Sequence, residues 1–413
     1  MTGVQTCALP ISDIKKQLIE HKAQNHWKMR MFNIIMMSIG FLITYLSYNT
    51  TENFITSMYG NYGMVSLSII YFSFAISGFF SPVLIRRLGE RWCLLIGAGM
   101  IIPFIVSNIF SNQYVLIVSS VFVGIGQSIT WASQGSLLTR CSKVDKRGRN
   151  SGIFFFIYQL NQAAGNGLAY ILTLVNIHLN ILFVIFACIS IVGLIPFLCI
   201  RMNILPDTEM RSVITDLRSV FKVLRNFKTL LLMPTFIYSG LTQCYIYGEI
   251  TAMFGVDSLS LAMTLFGCIN MTCSLLLGKL SDTIGRRLVI LVSSVMCIAS
   301  LTLICVYYFI ESPSIYLLFA AVVCIAISDS GFNTQLDSIL GRYFMYESDA
   351  AFSIFYSIQS LMSGTGFLVF ILMATYIPSI AIYRLSQAII ITVLLLVSLV
   401  MLGILDHKEP IDA

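Results

Sequence analysis

The sequence predicts an all-α integral membrane protein with twelve transmembrane helices arranged in two six-helix halves. Of the 413 residues, 57% are hydrophobic and only 11% are charged, which leaves too little polar surface for a protein folded in water. Apolar segments long enough to cross a membrane recur along the chain. Lys and Arg residues fall almost entirely on one side of these segments, as they do in membrane proteins.

Residues 1–30 are predicted to be a cytosolic N-terminal tail. Within this tail, residues 3–11 read GVQTCALPI, which resembles the translation of a sequencing-library adapter. The stretch has neither the charged start nor the long apolar core of a signal peptide. We therefore exclude it from the fold and expect that Met1 is not the natural start.

The predicted spans are apolar runs of roughly 20 residues, the helical length that crosses a hydrocarbon core of about 30 Å. Several runs contain Gly or polar residues, which membrane helices accept when neighbouring helices or water satisfy the polar groups. The twelve runs are 31–49, 62–83, 91–110, 113–137, 151–175, 179–200, 229–249, 257–278, 287–309, 314–336, 350–374 and 379–405.

The distribution of basic residues predicts the orientation. If the N-terminus is cytoplasmic, all of the 25 Lys and Arg residues except Arg384 lie on the cytoplasmic side of the twelve spans. This bias predicts that both termini are cytoplasmic, in a plasma membrane or an endomembrane. The net charge of +6 then reflects topology and attraction to anionic lipid of the bilayer, and it requires no nucleic acid partner.

The longest predicted cytosolic loop, residues 201–228, divides the chain. It separates an N-terminal half, residues 31–200, from a C-terminal half, residues 229–405, and a short cytosolic tail, 406–413, follows. Apolar side chains recur in this loop at helical spacing, with basic residues on the other face: Val213, Leu217, Val220 or Phe221, and Leu224. We expect either an amphipathic helix on the inner membrane surface or a helix that only tethers the halves.

The two halves are predicted to be structural repeats. Three pairs of identical residues recur at nearly constant spacing and at the same place in each six-helix unit. Parallel repeats related by an axis along the membrane normal occur in many transporters. The pairs are Gly89 with Gly285, Gln134 with Gln335, and Gln159 with Gln359.

The loop between the eighth and ninth spans reads GKLSDTIGRR at residues 278–287. It resembles the inner-loop signature of the major facilitator superfamily, G-x-L-x-D-x-x-G-R-R/K. A carboxylate here can meet the positive N-terminus of a helix in the other half. We therefore predict that Asp282, Gly285, Arg286 and Arg287 form a cytosolic gate. Asp282 is expected at the start of the fifth helix, near Asn150 and Ser151, with Arg286 or Arg287 placed to bridge. The alternative is that these charges only end the helix at the membrane surface.

The first-half copy of this signature has the charges exchanged. When Gly89 is aligned with Gly285, Arg86 stands in the place of Asp282 and Glu90 in the place of Arg286, so Arg86 and Glu90 are the gate candidates of the first half. A cation is unfavourable at a helix N-terminus. Either Arg86 meets a carboxylate or a helix C-terminus, or the first half has no gate contact. In either case we expect substitutions of Asp282 and Arg86 to differ in their effect on gating.

Several longer stretches resemble the Uncoordinated-ninety-three family, the ion-channel regulatory branch of the major facilitator superfamily. These stretches are YNTTENF (48–54), GIGQSITWASQGSLLTRCS (124–142), RGRNSGIFFFIYQLNQAAGN (147–166), YSGLTQCYIYGEIT (238–251), SDSGFNTQLDSILGRYF (328–344) and AFSIFYSIQS (351–360). The resemblance implies the twelve-helix facilitator fold. It also implies a regulatory or escort role toward a channel of the potassium channel class or another membrane protein. The alternative function is secondary transport of a cation or small polar solute.

Ionisable and amide side chains within the spans are the candidates for a functional site. An intramembrane carboxylate usually faces a cavity, so Asp329 is either a functional group or a hydrogen-bonded structural Asp. Amides can bind a cation or polar solute, and they also join helices to one another. Trp131 either stacks on a ligand or packs. In facilitator folds the fourth and tenth helices line the cavity, and the fifth and eleventh pack beside them. The candidates on these four helices are Trp131, Gln134, Gln159, Asp329, Asn333, Gln335 and Gln359.

Enzymatic chemistry is not predicted. The four His residues do not cluster and the 11 Cys residues form no C-x-x-C pair, so we expect neither a metal, nor a cofactor, nor disulfides. Asn49 begins a glycosylation sequon at the outer end of the first span and is a possible modification site.

The orientation can be tested by cysteine labelling. A single Cys introduced in the predicted outer loop 250–256 should react with an impermeant thiol reagent added outside intact cells, whereas a Cys at 210–220 should not. The parent protein, with its native cysteines, provides the background. The reverse labelling pattern would contradict the predicted topology.

Overall fold

The structure is a computed structural model that describes residues 11–59, 61–110, 112–143, 146–174, 179–202, 213–254 and 256–408. Every regular element in these ranges is helical, so the predicted all-α fold class is confirmed. Residues 3–10 of the adapter-like stretch and residues 203–212 of the linker lie outside the described residues.

The helices follow one another with short breaks. A π-helical turn, Tyr245–Ile250, continues α11. The helices are α1 (Ile11–Tyr59), α2 (Asn61–Gly78), α3 (Ser81–Leu88), α4 (Glu90–Gly99), α5 (Ile102–Ser107), α6 (Gln113–Cys141), α7 (Arg147–Leu174), α8 (Leu179–Val192), α9 (Ile195–Leu198), α10 (Val213–Leu224), α11 (Phe227–Cys244), α12 (Val256–Ile284), α13 (Arg286–Phe309), α14 (Tyr316–Tyr343), α15 (Ser348–Tyr376) and α16 (Ile380–Lys408).

Each of the twelve predicted spans coincides with one helix or with two helices separated by a short break. Within the described residues, nine segments are long and apolar enough to cross a membrane, and the bent pair α2 and α3 makes a tenth. The remaining two predicted spans correspond to α7 and to α11 with its π-helical turn. Both pack among the other spans, α7 against α1 and α12, and α11 against α15 and α16.

Prolines account for the breaks inside three of the predicted spans. Pro82, Pro103 and Pro196 each stand in the first turn of the short helix that follows a break, which is α3, α5 or α9. Proline cannot donate a backbone hydrogen bond, and its ring clashes with a preceding helical turn, so it is accommodated at a helix start. The axes of α2 and α3 differ by 62°.

The buried hydrophobic side chains form two main clusters that follow the two halves. One cluster draws on residues 34–200, and the other draws on residues 220–405 together with Phe74. Trp131 packs at the margin of both clusters. The domain boundaries at 31–200 and 229–405 stay a prediction.

The linker helix α10 packs against protein rather than only against a membrane surface. Its residues Val220 and Val223 are buried, while Phe221 is exposed, so of the two alternatives at this position Val220 belongs to the packed face. The helix contacts α3 from the first half and α15 from the second half. The linker therefore joins the two halves by packing as well as by covalent connection.

Gly89 and Gly285 occupy the same backbone conformation in the two halves. Gly89 has φ 79° and ψ 156°, and Gly285 has φ 103° and ψ 151°; each immediately precedes a helix, α4 or α13. This region of backbone space is essentially restricted to glycine. The pair predicted from the sequence as a repeat thus performs the same structural task in both halves.

Replacing Gly285 or Gly89 with Ala should lower stability by about 1–3 kcal/mol, the usual cost of a side chain held in this backbone region. Neither glycine has a neighbour near the added Cβ, so the loss would come from the backbone alone. Thermal unfolding of the purified protein in detergent measures the effect. Gly403→Ala is the matched control, since its Cβ also meets open space and its φ is not positive, and it should not lower stability. Equal melting temperatures for all three variants would contradict the prediction.

Candidate functional site

A cavity of about 510 Å³ lies between the two halves. Its lining comes from α1, α2, α6 and α7 of the first half and from α11, α12, α14 and α15 of the second. We call the end of the bundle that carries Arg86, Asp282 and Arg286 the gate end, and the opposite end the far end. The cavity runs from Asp337, on the gate side, toward Glu52 at the far end.

Five of the seven cavity candidates named from the sequence line this cavity. The other two, Gln134 and Gln335, lie in the same helices, but both are buried in contacts between helices. The five lining residues are Trp131, Gln159, Asp329, Asn333 and Gln359.

Trp131 belongs to an aromatic cluster at the junction of the halves. Its ring centroid lies 5.1 Å from that of Phe41, 5.3 Å from that of Tyr158 and 5.4 Å from that of Tyr356. The contacts with Phe41 and Tyr158 are edge to face and the contact with Tyr356 is tilted, and aromatic pairs at these distances are stabilising. Trp131 therefore packs, and it also presents part of its surface to the cavity.

Most of the predicted amides join helices. Gln359 Nε2 donates to Ser239 Oγ on α11 at 2.8 Å, and Gln335 Oε1 accepts from Ser281 Oγ on α12 at 2.7 Å. Gln159 differs, because its buried Oε1 accepts no hydrogen bond from the described residues. The sequence left open whether these amides join helices or bind a ligand. Gln335 and Gln359 both join helices, and Gln359 also lines the cavity, so its binding of a ligand stays a prediction.

Gln134 links the two halves below the cavity. Its Nε2 donates to Asp337 Oδ2 at 3.2 Å, and its Oε1 accepts from the Tyr356 hydroxyl at 3.1 Å. Asp337 belongs to α14 and Tyr356 to α15, so this three-residue contact joins α6 to the second half. It forms the floor of the cavity on the gate side.

Four carboxylates line the cavity: Glu52, Glu249, Asp329 and Asp337. No Lys, Arg or His is found among the described residues that line it. Asp329 Oδ2 accepts from Asn270 Nδ2 on α12 at 2.7 Å. The cavity is therefore acidic, and Asp329, the one central carboxylate singled out from the sequence, is at once hydrogen-bonded and exposed to the cavity.

Glu52 was not among the candidates because the first span was predicted to end at residue 49. The structure continues α1 to Tyr59, so Glu52 remains inside the bundle. Its position one turn after Tyr48, in the stretch YNTTENF, is a signal that could have identified it, since both residues lie on the same face of a continued helix.

Glu249 and Arg384 form an ion pair at the far end. Arg384 Nη1 lies 2.5 Å from Glu249 Oε2, and both side chains are largely buried. The pair ties α16 to the π-helical turn after α11, which carries Glu249 into the cavity lining. Arg384, the exception to the charge bias, therefore has a structural partner.

Asn49 lies inside α1 and lines the cavity. Its Nδ2 donates to Asn161 Oδ1 on α7 at 2.7 Å. A glycan on this nitrogen would break the contact and would have to pass through the cavity, whereas glycosylated sequons lie on the surface. The placement argues against modification at Asn49.

At the gate end, Asp282 meets the start of α7. Its two carboxylate oxygens accept from the backbone N–H groups of Gly148 at 3.1 Å and Arg149 at 2.7 Å. A Cβ at Gly148 would come 2.6 Å from Asp282 Oδ1, so glycine permits this approach. The contact predicted between Asp282 and the N-terminus of the fifth helix is confirmed, and its action as a gate stays a prediction.

Arg86 also makes a contact between the halves, and here the first half supplies a cation where the Asp282 contact has a carboxylate. Its Nε lies 2.5 Å from Asp349 Oδ2 and its Nη2 lies 3.3 Å from Asp349 Oδ1. Asp349 stands in the first turn of α15, so a carboxylate covers the helix start and receives the cation. Of the alternatives considered, Arg86 meets a carboxylate. We expected Arg86 and Asp282 to differ in their effect on gating because a cation cannot cap a helix N-terminus. The structure removes this reason, because both residues bridge the halves.

The remaining gate candidates act within one half. Glu90 is bonded to Ser136 and Arg140 on α6. Arg286 and Arg287 both pair with Asp406 on α16. The expectation that one of these two Arg residues would bridge to the first half was wrong, since the end of α16 supplies a nearer carboxylate.

Comparison with known proteins identifies similar chains. Residues 51–403 match the family described as "Ion channel regulatory protein UNC-93". "Protein unc-93 homolog A" of Danio rerio is 24% identical over 405 residues, which cover 84% of this chain and 86% of that protein. The "Putative potassium channel regulatory protein unc-93" of Caenorhabditis elegans is 24% identical over 378 residues, which cover 76% of this chain and 53% of that protein.

Among solved structures, the major facilitator superfamily proton:xylose symporter XylE, bound to 6-bromo-6-deoxy-D-glucose, superposes with a TM-score of 0.71 at 12% identity. The match covers 92% of this chain and 95% of that one. At this identity the likeness shows the fold, and it confirms the predicted facilitator architecture of two six-helix halves.

The contact between Arg86 and Asp349 can be tested by exchanging its charges. Arg86→Asp and Asp349→Arg each place like charges at the junction and should favour opening at the gate end. Labelling of a Cys introduced at Ser338, with reagent added from the gate end, should then rise by about threefold or more. A change of about 0.7 kcal/mol produces this factor in an equilibrium constant. The double variant restores opposite charges and should return labelling toward the parent rate. Asp282→Ala should also raise labelling.

Glu90→Gln is the matched control, because the described partners of Glu90 lie within the first half. It should leave the labelling rate unchanged. No recovery in the double variant, or an equal rise in the control, would show that the charges act only as topology signals.

Proposed function

The chain belongs to the family of ion channel regulatory proteins related to UNC-93, and from this membership we propose that it is a regulatory or escort subunit of an ion channel or another membrane protein. The observation that carries the proposal is the family match over residues 51–403. A relative from Caenorhabditis elegans is named as a putative potassium channel regulatory protein, which supports a potassium channel as the partner class. The proposed role involves no enzymatic step.

We further propose that the gate end faces the cytoplasm, with both termini on that side of a plasma membrane or endomembrane. The support is the accumulation of Lys and Arg at this end of the spans. The contacts of Arg86 and Asp282 between the halves would then close the cytoplasmic side of the cavity.

A second candidate function is carriage of a cation or small polar solute by alternating access. It is favoured by the cavity between the halves, by the carboxylates that line it and by the polar contacts that hold the halves together at the gate end. Such contacts are suited to break when the halves rock against each other. A regulatory subunit could retain this machinery as a conformational sensor, so the two candidates share one site.

Purification from native membranes separates the two functions. If the protein is a regulatory subunit, a channel or other membrane protein should co-purify in fixed ratio from mild detergent, and removing this chain should change the activity or surface level of that partner. A second multi-span protein from the same membrane, carrying the same tag, is the control. A chain that purifies alone and carries solute in proteoliposomes would contradict the regulatory proposal.

Asp329→Asn should leave surface abundance intact and should abolish either partner regulation or solute flux. The substitution keeps an oxygen that can accept from Asn270 while it removes the negative charge from the cavity. Surface labelling together with partner current or flux measures the outcome. Lower abundance with normal activity per surviving molecule would indicate that Asp329 is only structural.

A further inference from the structure

We propose that the cavity binds an organic monocation carrying N–H donors, an ammonium or a guanidinium, with the charged group at Glu52 and Asp329 and the apolar body against Trp131 and Tyr158. The inference rests on the second proposed function, carriage of a cation or small polar solute, and names the solute class. It follows from the charges, the hydrogen-bond acceptors and the aromatic surface of the cavity.

Of the four carboxylates that line the cavity, only Glu249 is paired with a cation, Arg384, among the described residues. Asp337 is buried in the cavity floor, where it accepts from Gln134, whereas Asp329 accepts from Asn270 and stays partly exposed to the cavity. Glu52 and Asp329 make no ion pair with a described Lys, Arg or His residue. Both side chains are only partly buried. A charge removed from bulk water without a partner is costly, so these two carboxylates favour a cationic ligand.

The two carboxylates line the same cavity from opposite halves, together with Tyr158 and Tyr247. Glu52 comes from α1 in the first half and Asp329 from α14 in the second. A cation bound by both would therefore connect the halves, which is what a solute does in an alternating-access carrier.

Gln159 supplies an independent indication of a donor ligand. Its side chain is 3% exposed, lines the cavity and has an Oε1 without a hydrogen-bond donor among the described residues. A buried acceptor of this kind costs about 1–3 kcal/mol when it stays unsatisfied. An ammonium or guanidinium offers several N–H donors, so one group can serve the carboxylates and this amide together.

The aromatic surface favours an organic cation. The rings of Trp131 and Tyr158 pack edge to face at 5.3 Å, and both residues line the cavity together with Tyr45. Aromatic faces attract cations, Trp most strongly, and also bury apolar groups. The cavity volume of about 510 Å³ falls in the range of about 300–1,000 Å³ that holds drug-sized ligands.

A bare metal ion fits this site less well. In the part of the chain that the structure describes, no three His, Cys, Asp or Glu side chains come together closely enough to hold one. Glu52 and Asp329 belong to different halves, with phenol and amide groups around them. The arrangement suits a ligand that is extended, with one charged end and an apolar end.

Binding of 2-phenylethylguanidinium to the purified full-length protein tests the proposal, with 2-phenylethylurea as the neutral probe of nearly equal shape and 3-phenylpropanoate as the anion. Titration calorimetry, with quenching of the cavity tryptophan Trp131 as a second signal, should show the guanidinium binding at least about tenfold more tightly than the urea, as charge-assisted hydrogen bonds require. Equal binding of guanidinium and urea, or preference for the anion, would overturn the proposal.

Asp329→Asn and Glu52→Gln should each reduce the preference for guanidinium over urea by about fivefold or more, because each removes one charge and keeps the shape of the side chain. Glu311→Gln is the control, since Glu311 is exposed after α13 and does not line the cavity. Two independent variants protect the test against one that fails to fold. Full preference in both folded variants would also overturn the proposal.

Uptake of the same probes into proteoliposomes separates this inference from the proposed carrier function. Guanidinium that binds with the stated preference but is not carried supports the site and contradicts carriage. Uptake of the urea or the anion without preferential guanidinium binding supports carriage and contradicts the site. Guanidinium that is both bound and carried supports both.

Discussion

Charge is costly in a hydrocarbon layer, and this constraint governs how the two halves of the protein meet. At the gate end, Asp282 is satisfied by two backbone N–H groups at the start of α7, and Arg86 is satisfied by Asp349 at the start of α15. In each case a charged side chain at the end of one half is stabilised by a partner from the other half. The halves therefore cannot separate at this end without exposing the charges to water or to each other.

The two contacts are related by the internal repeat, although their signs are exchanged. In the second half the helix that ends at the gate carries a carboxylate, and its partner is a bare helix N-terminus with Gly148. In the first half the corresponding residue is Arg86, and the corresponding helix start carries Asp349 in its first turn. The added carboxylate reverses the local field of the helix end, so a cation becomes the favourable partner. The glycines Gly89 and Gly285 hold the same positive-φ backbone beside both contacts.

The cost of burying charge also shapes the cavity, which lies beyond the gate-end contacts of Arg86 and Asp282. Its gate-side floor is the group of Gln134, Asp337 and Tyr356, in which Gln134 Nε2 donates to the carboxylate and Gln134 Oε1 accepts from the Tyr356 hydroxyl. Toward the far end, Glu249 is neutralised by Arg384, while Glu52 and Asp329 face the cavity itself. A ligand or partner that binds one conformation of the two halves would shift their equilibrium by its difference in affinity. This provides a physical route by which one site could serve regulation or carriage.

The sequence by itself determined the spans, the two six-helix halves and the contact of Asp282 with the fifth helix. Membrane thickness imposes a length on each apolar run, and the loop signature carries its carboxylate at a fixed distance from a helix end. Only the tertiary structure decided which residues the helices bring together. Arg86 and Asp349 stand 263 positions apart. Glu52 enters the cavity because α1 continues beyond its apolar run. Composition states what must avoid water, but the rotation of each helix about its axis and its approach to the other half decide which polar groups meet.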